Sequence, residues 1–303
     1  MPFTIRPLSS LVSMLTVAAA MSISAPAGAG VTLMHVHGLA YSADGRQLLI
    51  PSHHGLAVFA DGRWSKAAGP AHDYMGFSAT RDALYSSGHP APGSGLTNPF
   101  GLIKSRDGGK TWQKLGLEGE SDFHTLATSY QTNAVYVVNH EKNSRMGGAG
   151  IHYTLADGLK WERAEARGLR ARLNGLAVHP NDARIVAAGT DEGLYLSRDS
   201  AASFEPLAKG SRVLALTFDQ GGQHLWFSAY AGKPTLARIG LNAKAKAEER
   251  TLPAMKDDAV AYIAQNPARR EEIALATFKR NVFVSTDDGR TWKQIAKEGS
   301  GVD

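Results

Sequence analysis

Stretches in which apolar and polar residues alternate recur along the whole chain after residue 30. Alternation with a period of two is typical of a β-strand that buries one face. A first set of stretches covers residues 37–42, 75–80, 124–129, 174–179, 214–219 and 261–266, and a second set covers 47–52, 83–88, 134–139, 184–189, 224–229 and 272–277. The pattern predicts an all-β chain of six similar units with no helix of note.

A third phrase in the units ends on a large aromatic residue. Trp64, Trp112, Trp161, Phe204 and Trp292 end these phrases at spacings of 48, 49, 43 and 88 residues. The last spacing is about double, so a degenerate copy without its tryptophan is expected near residues 236–252. Units of three strands, a turn and a fourth strand, repeated every 40–50 residues or so, are typical of propeller blades. We predict a β-propeller of about six four-stranded blades, with seven blades as the alternative.

Two of these phrases share a full set of turn residues. The shared residues are Ser105, Asp107, Gly109, Thr111 and Trp112 in one copy and Ser285, Asp287, Gly289, Thr291 and Trp292 in the other. They resemble the Asp-box, or BNR repeat, of sialidases and glycosyl-hydrolase-like secreted propellers. The resemblance implies a turn between the third and fourth strands of a blade, in which Asp and Ser bind backbone amides and Trp packs between blades.

The same resemblance suggests where an enzyme of this family would hold its substrate. Sialidases bind the substrate carboxylate with three arginines, for which Arg172, Arg212 and Arg280 are the available side chains, and use a tyrosine, here Tyr230 or Tyr262, as nucleophile. Their Arg-Ile-Pro motif near the N-terminus is absent, and histidines occupy those blades. We therefore favour a binding or assembly module over an enzyme.

A sialidase-like or other glycosyl-hydrolase-like enzyme stays the alternative. Asp73 and Asp122 would suit glycoside hydrolysis if their carboxyl groups lay roughly 5–9.5 Å apart.

The N-terminus is typical of an exported protein. Arg6 precedes an apolar run over residues 8–23, and small residues with an Ala-x-Ala pattern follow up to Ala29. This arrangement predicts a signal peptide over residues 1–29, cleaved after Ala27 or Ala29. The apolar run is shorter than the roughly 20 residues that a spanning helix needs. We expect a periplasmic or secreted protein, with one propeller domain over residues 30–303 and no membrane span in the mature chain.

Composition narrows the chemistry further. The chain has no cysteine, which excludes disulfides and thiolate ligands or nucleophiles. Loss of Arg6 with the leader lowers the formal net charge from +5 to +4, and no run of Lys or Arg indicates nucleic-acid binding.

Histidines concentrate where the first strands of the early blades begin. In a propeller these strands line the central channel and start at one end of it, where the loops between second and third strands also lie. The candidate metal ligands at this end are His35, His37, His124, Asp73, Asp122 and Met75 on first strands, and His53, His54, His89 and His140 on loops. Clusters of imidazoles with carboxylates suit zinc or copper, and a thioether favours copper. We predict a metal site at the channel mouth.

Two other interpretations of this end stay open. The histidines would otherwise only hydrogen-bond the loops, and a small ligand or a periplasmic protein partner would then bind through Arg172, Arg212, Tyr230 and Arg280. The proline-containing loop over residues 87–95 is expected to fold across the mouth as part of the site.

Overall fold

Every regular element of the described chain is a β-strand. The computed structural model describes residues 1–3, 31–242 and 244–302, so nearly all of the predicted signal peptide lies outside the described residues. The strands form six antiparallel sheets, each built from consecutive strands. The predicted all-β propeller is confirmed, with six blades rather than seven. Within the described ranges, no helix is long and apolar enough to cross a membrane.

The blades follow one another along the chain. Blade 1 consists of β1 (Ala40–Tyr41), β2 (Leu48–Ser52), β3 (Gly55–Ala60) and β4 (Arg63–Lys66). Blade 2 consists of β5 (Asp73–Ala79), β6 (Leu84–His89), β7 (Leu102–Ser105) and β8 (Gln113–Gly116). Blade 3 consists of β9 (Leu126–Thr128), β10 (Val135–Asn139), β11 (Gly150–Thr154) and β12 (Glu162–Arg163). Blade 4 consists of β13 (Leu173–Val178), β14 (Val186–Thr190), β15 (Gly193–Ser197) and β16 (Glu205–Lys209). Blade 5 consists of β17 (Arg212–Phe218), β18 (His224–Tyr230), β19 (Pro234–Gly240) and β20 (Glu248–Arg250). Blade 6 consists of β21 (Val260–Gln265), β22 (Ile273–Thr277), β23 (Val282–Ser285), β24 (Lys293–Lys297) and β25 (Ser300–Gly301).

A separate hydrophobic cluster lies at each junction between successive blades. Trp64 packs between blades 6 and 1, Trp112 between 1 and 2, Trp161 between 2 and 3, Phe204 between 3 and 4, and Trp292 between 5 and 6. The junction of blades 4 and 5 has no aromatic residue from the repeat, and Phe218 and Phe227 lie in its cluster instead. The lost tryptophan of the degenerate copy therefore belongs to this junction.

The turns between third and fourth strands are held by a serine and an aspartate. In blade 2, Asp107 Oδ1 accepts hydrogen bonds from Ser105 Oγ (2.8 Å) and the Thr111 amide (2.9 Å). Ser105 Oγ accepts from the Gly109 amide at 2.8 Å. Gly109 has φ of 88°, and a Cβ there would lie 2.5 Å from Leu56 Cδ1, so this position requires glycine.

The same geometry recurs in two further blades, with Asp199 and Asp287 at the centre of the turn.

The ring closes where the first described residues meet the last. The Leu33 amide donates to Gly299 O at 2.7 Å, and Thr32 bridges antiparallel to Ser300 next to β25. Trp64 Nε1 in blade 1 donates to Ile295 O in blade 6 at 2.7 Å. The segment that leads into β1 is thus attached to blade 6 before it reaches the channel mouth.

Candidate metal centre at the channel mouth

Three histidines from blade 1 meet at the mouth of the channel. His35 and His37 lie on the segment just before β1, and His53 lies on the loop between β2 and β3. Their ligating nitrogen atoms all lie within 4.8 Å of one another. The rings of His35 and His37 are stacked, and His53 meets both of them edge-on, with centroids 4.4 and 4.9 Å away. His35 and His37 lie before β1 rather than on a strand, but their spacing of two residues still brings both rings to one side of this segment.

Asp73, the first residue of β5, fixes the orientation of this group. Its Oδ2 atom accepts a hydrogen bond from His53 Nδ1 at 2.6 Å, and its Oδ1 atom lies 3.6 Å from His37 Nε2. With Nδ1 bound to the carboxylate, His53 keeps Nε2 as its ligating atom. A carboxylate behind the ring nitrogen is the usual second partner of a metal-bound histidine. We call His35, His37, His53 and Asp73 the mouth cluster.

His37 is held in its neutral form. Burial, together with the charges of His53, His35 and His124, lowers its pKa to about 4, although the Asp73 carboxylate acts in the opposite direction. The Nε2 atom of His37 is buried and lies 3.6 Å from the buried Oδ1 atom of Asp73, beyond normal hydrogen-bond length. A neutral imidazole with its lone pair available is the form that binds a metal ion.

A second cluster lies beside the first. It consists of Asp122 and His124, which precede β9 in blade 3, and of His89 at the end of β6 in blade 2. Asp122 Oδ2 accepts a hydrogen bond from His124 Nε2 at 2.6 Å and lies 3.2 Å from His89 Nε2. His89 Nδ1 is 2.7 Å from Asn98 Oδ1.

These contacts set the protonation of the second cluster. The hydrogen bond to Asp122 raises the pKa of His124, although burial opposes it. Burial alone would raise the pKa of Asp122, but the contacts with His124 and His89 outweigh it and lower the pKa. This pair therefore favours a cationic histidine, which binds metal poorly.

Residues 87–89 belong to β6 and none of residues 87–95 lines the channel; the loop after β6 contacts His72, the residue before Asp73. The Ala91 amide donates to His72 Nδ1 at 3.0 Å, and the His72 ring is buried against Phe100. Asn98, beyond the loop, contacts His89. Sequence patterns gave no signal for Asn98, because only the folded loop brings it to that ring.

The other predicted ligands are not all brought to the mouth cluster. His54 is exposed and its Nε2 atom lies 3.1 Å from the sulfur of Met34, which is itself 46% exposed. Met75 is buried, at 8% exposure, and does not line the channel, whereas His140 is exposed on the loop after β10. The thioether at the mouth belongs to Met34. Sequence patterns did not indicate this residue, although Met34 directly precedes His35.

The register of the first strands explains the position of Met75. The pairings of β13, β17 and β21 each skip one residue, and these are Asn174, Leu214 and Ala261, respectively. Each of the three lines the channel. In β5 the skipped residues are Gly76 and Phe77, while Met75 still pairs with Ser87. A bulge redirects side chains locally, and here it presents Gly76 rather than Met75 to the channel.

Below the mouth cluster, the innermost strands enclose a cavity of about 580 Å³ along the channel. His35, His37, His124, Arg212 and Arg280 line it, and Arg172 and Tyr230 do not. Arg212 Nε pairs with Asp191 Oδ1 at 3.0 Å. Arg280 donates from Nη1 to the Met34 carbonyl at 3.0 Å, which attaches the residue before His35 to blade 6. We call this space the channel cavity.

The arrangement of the mouth cluster suits an ion that prefers imidazole. Three ligand atoms 2.0–2.1 Å from one tetrahedral ion lie about 3.3–3.4 Å apart. The three nitrogen atoms lie within 4.8 Å of one another, so the rings would rotate toward a common centre to hold the ion. Three histidines leave a fourth position open, as in catalytic zinc sites.

Comparisons with known proteins support the fold. No protein-family model and no curated protein matches the sequence. Among solved structures, the chain is similar to the GH74 enzyme of Niastella koreensis, with a TM-score of 0.59 and 14% identity over 88% of this chain. It spans 46% of that enzyme's length.

Two further similar structures are a β-propeller domain and a peptide-bound protein. The Cps50 (Swd1) β-propeller domain of Myceliophteria thermophila has a TM-score of 0.57 and 10% identity, with 89% of this chain and 90% of that one covered. The YCF48 protein bound to a D1 peptide has a TM-score of 0.51 and 16% identity, with 88% and 83% covered. At these identities the chain shares a β-propeller fold with enzymes and with binding domains alike.

Proposed function

We propose that the protein is an exported β-propeller that binds a copper or zinc ion at its mouth cluster and acts as a binding or assembly module. The observation that carries the proposal is the set of three imidazoles whose nitrogen atoms lie within 4.8 Å of one another. Two further features support it. Asp73 orients His53 from behind, and His37 stays neutral with its Nε2 atom lacking a partner.

The composition of the site favours these ions over others. Imidazole ligands suit zinc and copper, while oxygen-rich sites suit magnesium or calcium. Copper(II) should bind more tightly than zinc, following the general order of affinities for divalent ions. The sulfur of Met34 lies beside His54, close in sequence to two of the three ligands, and would add a soft atom for copper(I).

The carboxylates fit hydrolysis less well than metal binding. A glycoside hydrolase needs one carboxylate as nucleophile or base and another as acid. Asp73 is held by His53 and Asp122 by His124, each at 2.6 Å. Both carboxylates therefore already have a positioning role toward a histidine.

The test is calorimetric titration of metal-stripped, untagged protein with copper(II) and with zinc. The wild type should bind one ion per chain, and the His35→Ala/His37→Ala variant should bind at least about 1,000-fold more weakly, since two of three ligands are lost. A matched control is His224→Ala, because His224 also contacts a carboxylate, Asp219 at 2.9 Å, but lies where β18 begins, at the other end of the channel. Equal, weak binding by wild type and double variant would disprove the proposal.

A further inference from the structure

The channel cavity below the mouth cluster has one sign of charge. Its charged or protonatable lining residues are Arg212, Arg280, His35, His37 and His124, and none of the described residues that line it is Asp or Glu. A cavity of about 580 Å³ is within the usual range for small-molecule sites. Arg212 and His124 are paired with Asp191 and Asp122, which lie outside the lining, and His37 is neutral, so Arg280 is the group of the lining best placed to attract an anion.

Of these cationic groups, Arg280 is the most available to an anion. Among the residues that the structure describes, Arg280 forms no ion pair, whereas Arg212 is paired with Asp191. Arg280 uses Nη1 on the Met34 carbonyl, one residue before His35. Its charge thus lies next to the chain segment that carries two of the three imidazoles. A guanidinium has five N–H donors in a planar fork that matches a carboxylate.

One patch of the cavity wall beyond the rim is apolar, among polar lining residues such as Asn174, Thr217 and Gln265. The patch consists of Leu176 of blade 4, Leu214 and Leu216 of blade 5, and Tyr262 of blade 6. Leu214 reaches the channel because it is the residue skipped in the pairing of β17. A wholly polar ligand would leave these side chains without matching contacts, so this patch favours a ligand with a hydrocarbon part.

We propose that the channel cavity binds a small amphipathic carboxylate. Its head group occupies the open position of the ion held by the mouth cluster and contacts Arg280, and its hydrocarbon body lies against Leu176, Leu214, Leu216 and Tyr262. The inference rests on the proposed function, since the ion supplies one of the two contacts to the head group. The Arg280 contact and the apolar wall belong to the chain itself and can be tested without the ion.

The experiment is calorimetric titration of zinc-loaded and of metal-stripped protein with acetate, butanoate and hexanoate. Affinity should rise with chain length by roughly fourfold per methylene group. Hexanoate should bind zinc-loaded protein at least about tenfold more tightly than hexanol or hexylammonium, because only a carboxylate makes charge-assisted contacts with the ion and with Arg280.

Two variants locate the ligand. Arg280→Gln should weaken hexanoate binding by about tenfold or more, and Leu214→Asn should reduce the gain per methylene. Arg170→Gln is the matched control, since Arg170 is exposed between β12 and β13 and does not line the cavity. Zinc affinity is measured first in Arg280→Gln, so that a change in the ion's own site is separated from a change in carboxylate binding.

The outcomes distinguish this inference from the proposed function. If zinc binds but hexanoate does not, or binds no better than hexanol, the carboxylate site is disproved and the metal site stands. If no metal binds, the proposed function fails by itself. Hexanoate binding to metal-free protein that is lost in Arg280→Gln would then still support the cavity site, and its absence would disprove that site as well.

Discussion

The two ends of the propeller both carry carboxylates surrounded by hydrogen-bonding groups, but they differ in how completely those groups are satisfied. At the end with the serine–aspartate turns, Asp107 accepts from Ser105 Oγ, the Thr111 amide and Thr111 Oγ1, and Ser105 Oγ accepts from the Gly109 amide. Asp287 repeats this arrangement. Every one of these contacts is within the turn itself, so the turns contribute stability and offer nothing to a ligand.

At the mouth, buried polar atoms remain without partners. His37 Nε2, Asp73 Oδ1 and Asp122 Oδ1 are buried and form no hydrogen bond. An unsatisfied buried polar atom costs about 1–3 kcal/mol, which a fold tolerates where a ligand or ion supplies the partner. The comparison indicates that similar residue types are satisfied within the turns at one end and only in part at the mouth.

The strongest test of this contrast compares variants at the two ends of the propeller. At a metal concentration about 100-fold above the dissociation constant, the wild type should gain about 2.7 kcal/mol of stability. His35→Ala/His37→Ala should abolish that gain, whereas Asp107→Ala/Asp287→Ala should retain it from a lower starting stability. Thermal unfolding with and without zinc measures both. A turn variant that also lost the gain would break the contrast.

A substitution of Asp73 tests whether the carboxylate at the mouth supports metal binding rather than the stability of the fold. Asp73→Asn should weaken metal binding by about 10- to 100-fold, the usual loss when the partner of a metal-bound histidine is changed. Asp219→Asn is the control, since Asp219 accepts from His224 and from two backbone amides at the opposite end. That variant should lose stability and keep its metal affinity.

Acid should reveal the neutral state of His37 in metal-stripped protein. An unfolded histidine takes up its proton near pH 6.5, while burial lowers the pKa of folded His37 to about 4. The unfolded state therefore binds more protons between these values, so stability is complete above pH 6.5 and falls toward pH 4. We expect a loss of roughly 1–3 kcal/mol.

Denaturant unfolding at several pH values measures this dependence. His37→Gln should flatten it, while the groups that face this position, His35, His53, His124 and Asp73, remain in place. An unchanged slope in the variant would mean that His37 does not cause it.

The turn aspartates should lose stability in the same direction, on acidification, but at lower pH and with a smaller effect. Hydrogen bonds from the Thr111 side chain and amide lower the pKa of Asp107 to about 2. Its carboxylate therefore stabilises the fold above the normal pKa, and this stabilisation is lost as the pH falls through about 2. Asp107→Ala should lower the unfolding temperature at pH 7 and leave metal affinity unchanged. If the two proteins unfold at the same temperature at pH 7, the turn is not stabilised in this way.

The smallest expected effect is on glycoside chemistry. We expect no hydrolysis of a fluorogenic sialoside, because Arg172 does not line the channel cavity and Arg212 is already paired with Asp191. Turnover that disappears in Arg212→Ala would instead place the activity of a sialidase at this mouth.

The candidate site was predictable in part from the chain. His35 and His37 stand two residues apart before a strand, and His53 falls on the adjacent loop, so blade topology alone places them at one end. Sequence patterns could not choose among ten candidate ligands at that end. The choice depends on contacts such as that of His53 with Asp73, which joins blade 1 to blade 2.

The periodic part of the sequence determined the architecture by itself. Alternating strands, a turn motif and an aromatic residue repeated at a near-constant spacing predict a ring of about six blades, because each blade must cover its apolar face with the next. Trp64, Trp112, Trp161, Phe204 and Trp292 mark those junctions in both sequence and structure.

Only the tertiary structure decided which residues share the mouth. A bulge in β5 leaves Met75 paired and buried, and the contact of Arg280 with the Met34 carbonyl holds the segment before His35 across the closing junction of the ring. Such contacts join residues that are distant in sequence. They depend on local strand register and on ring closure, neither of which a repeat pattern encodes.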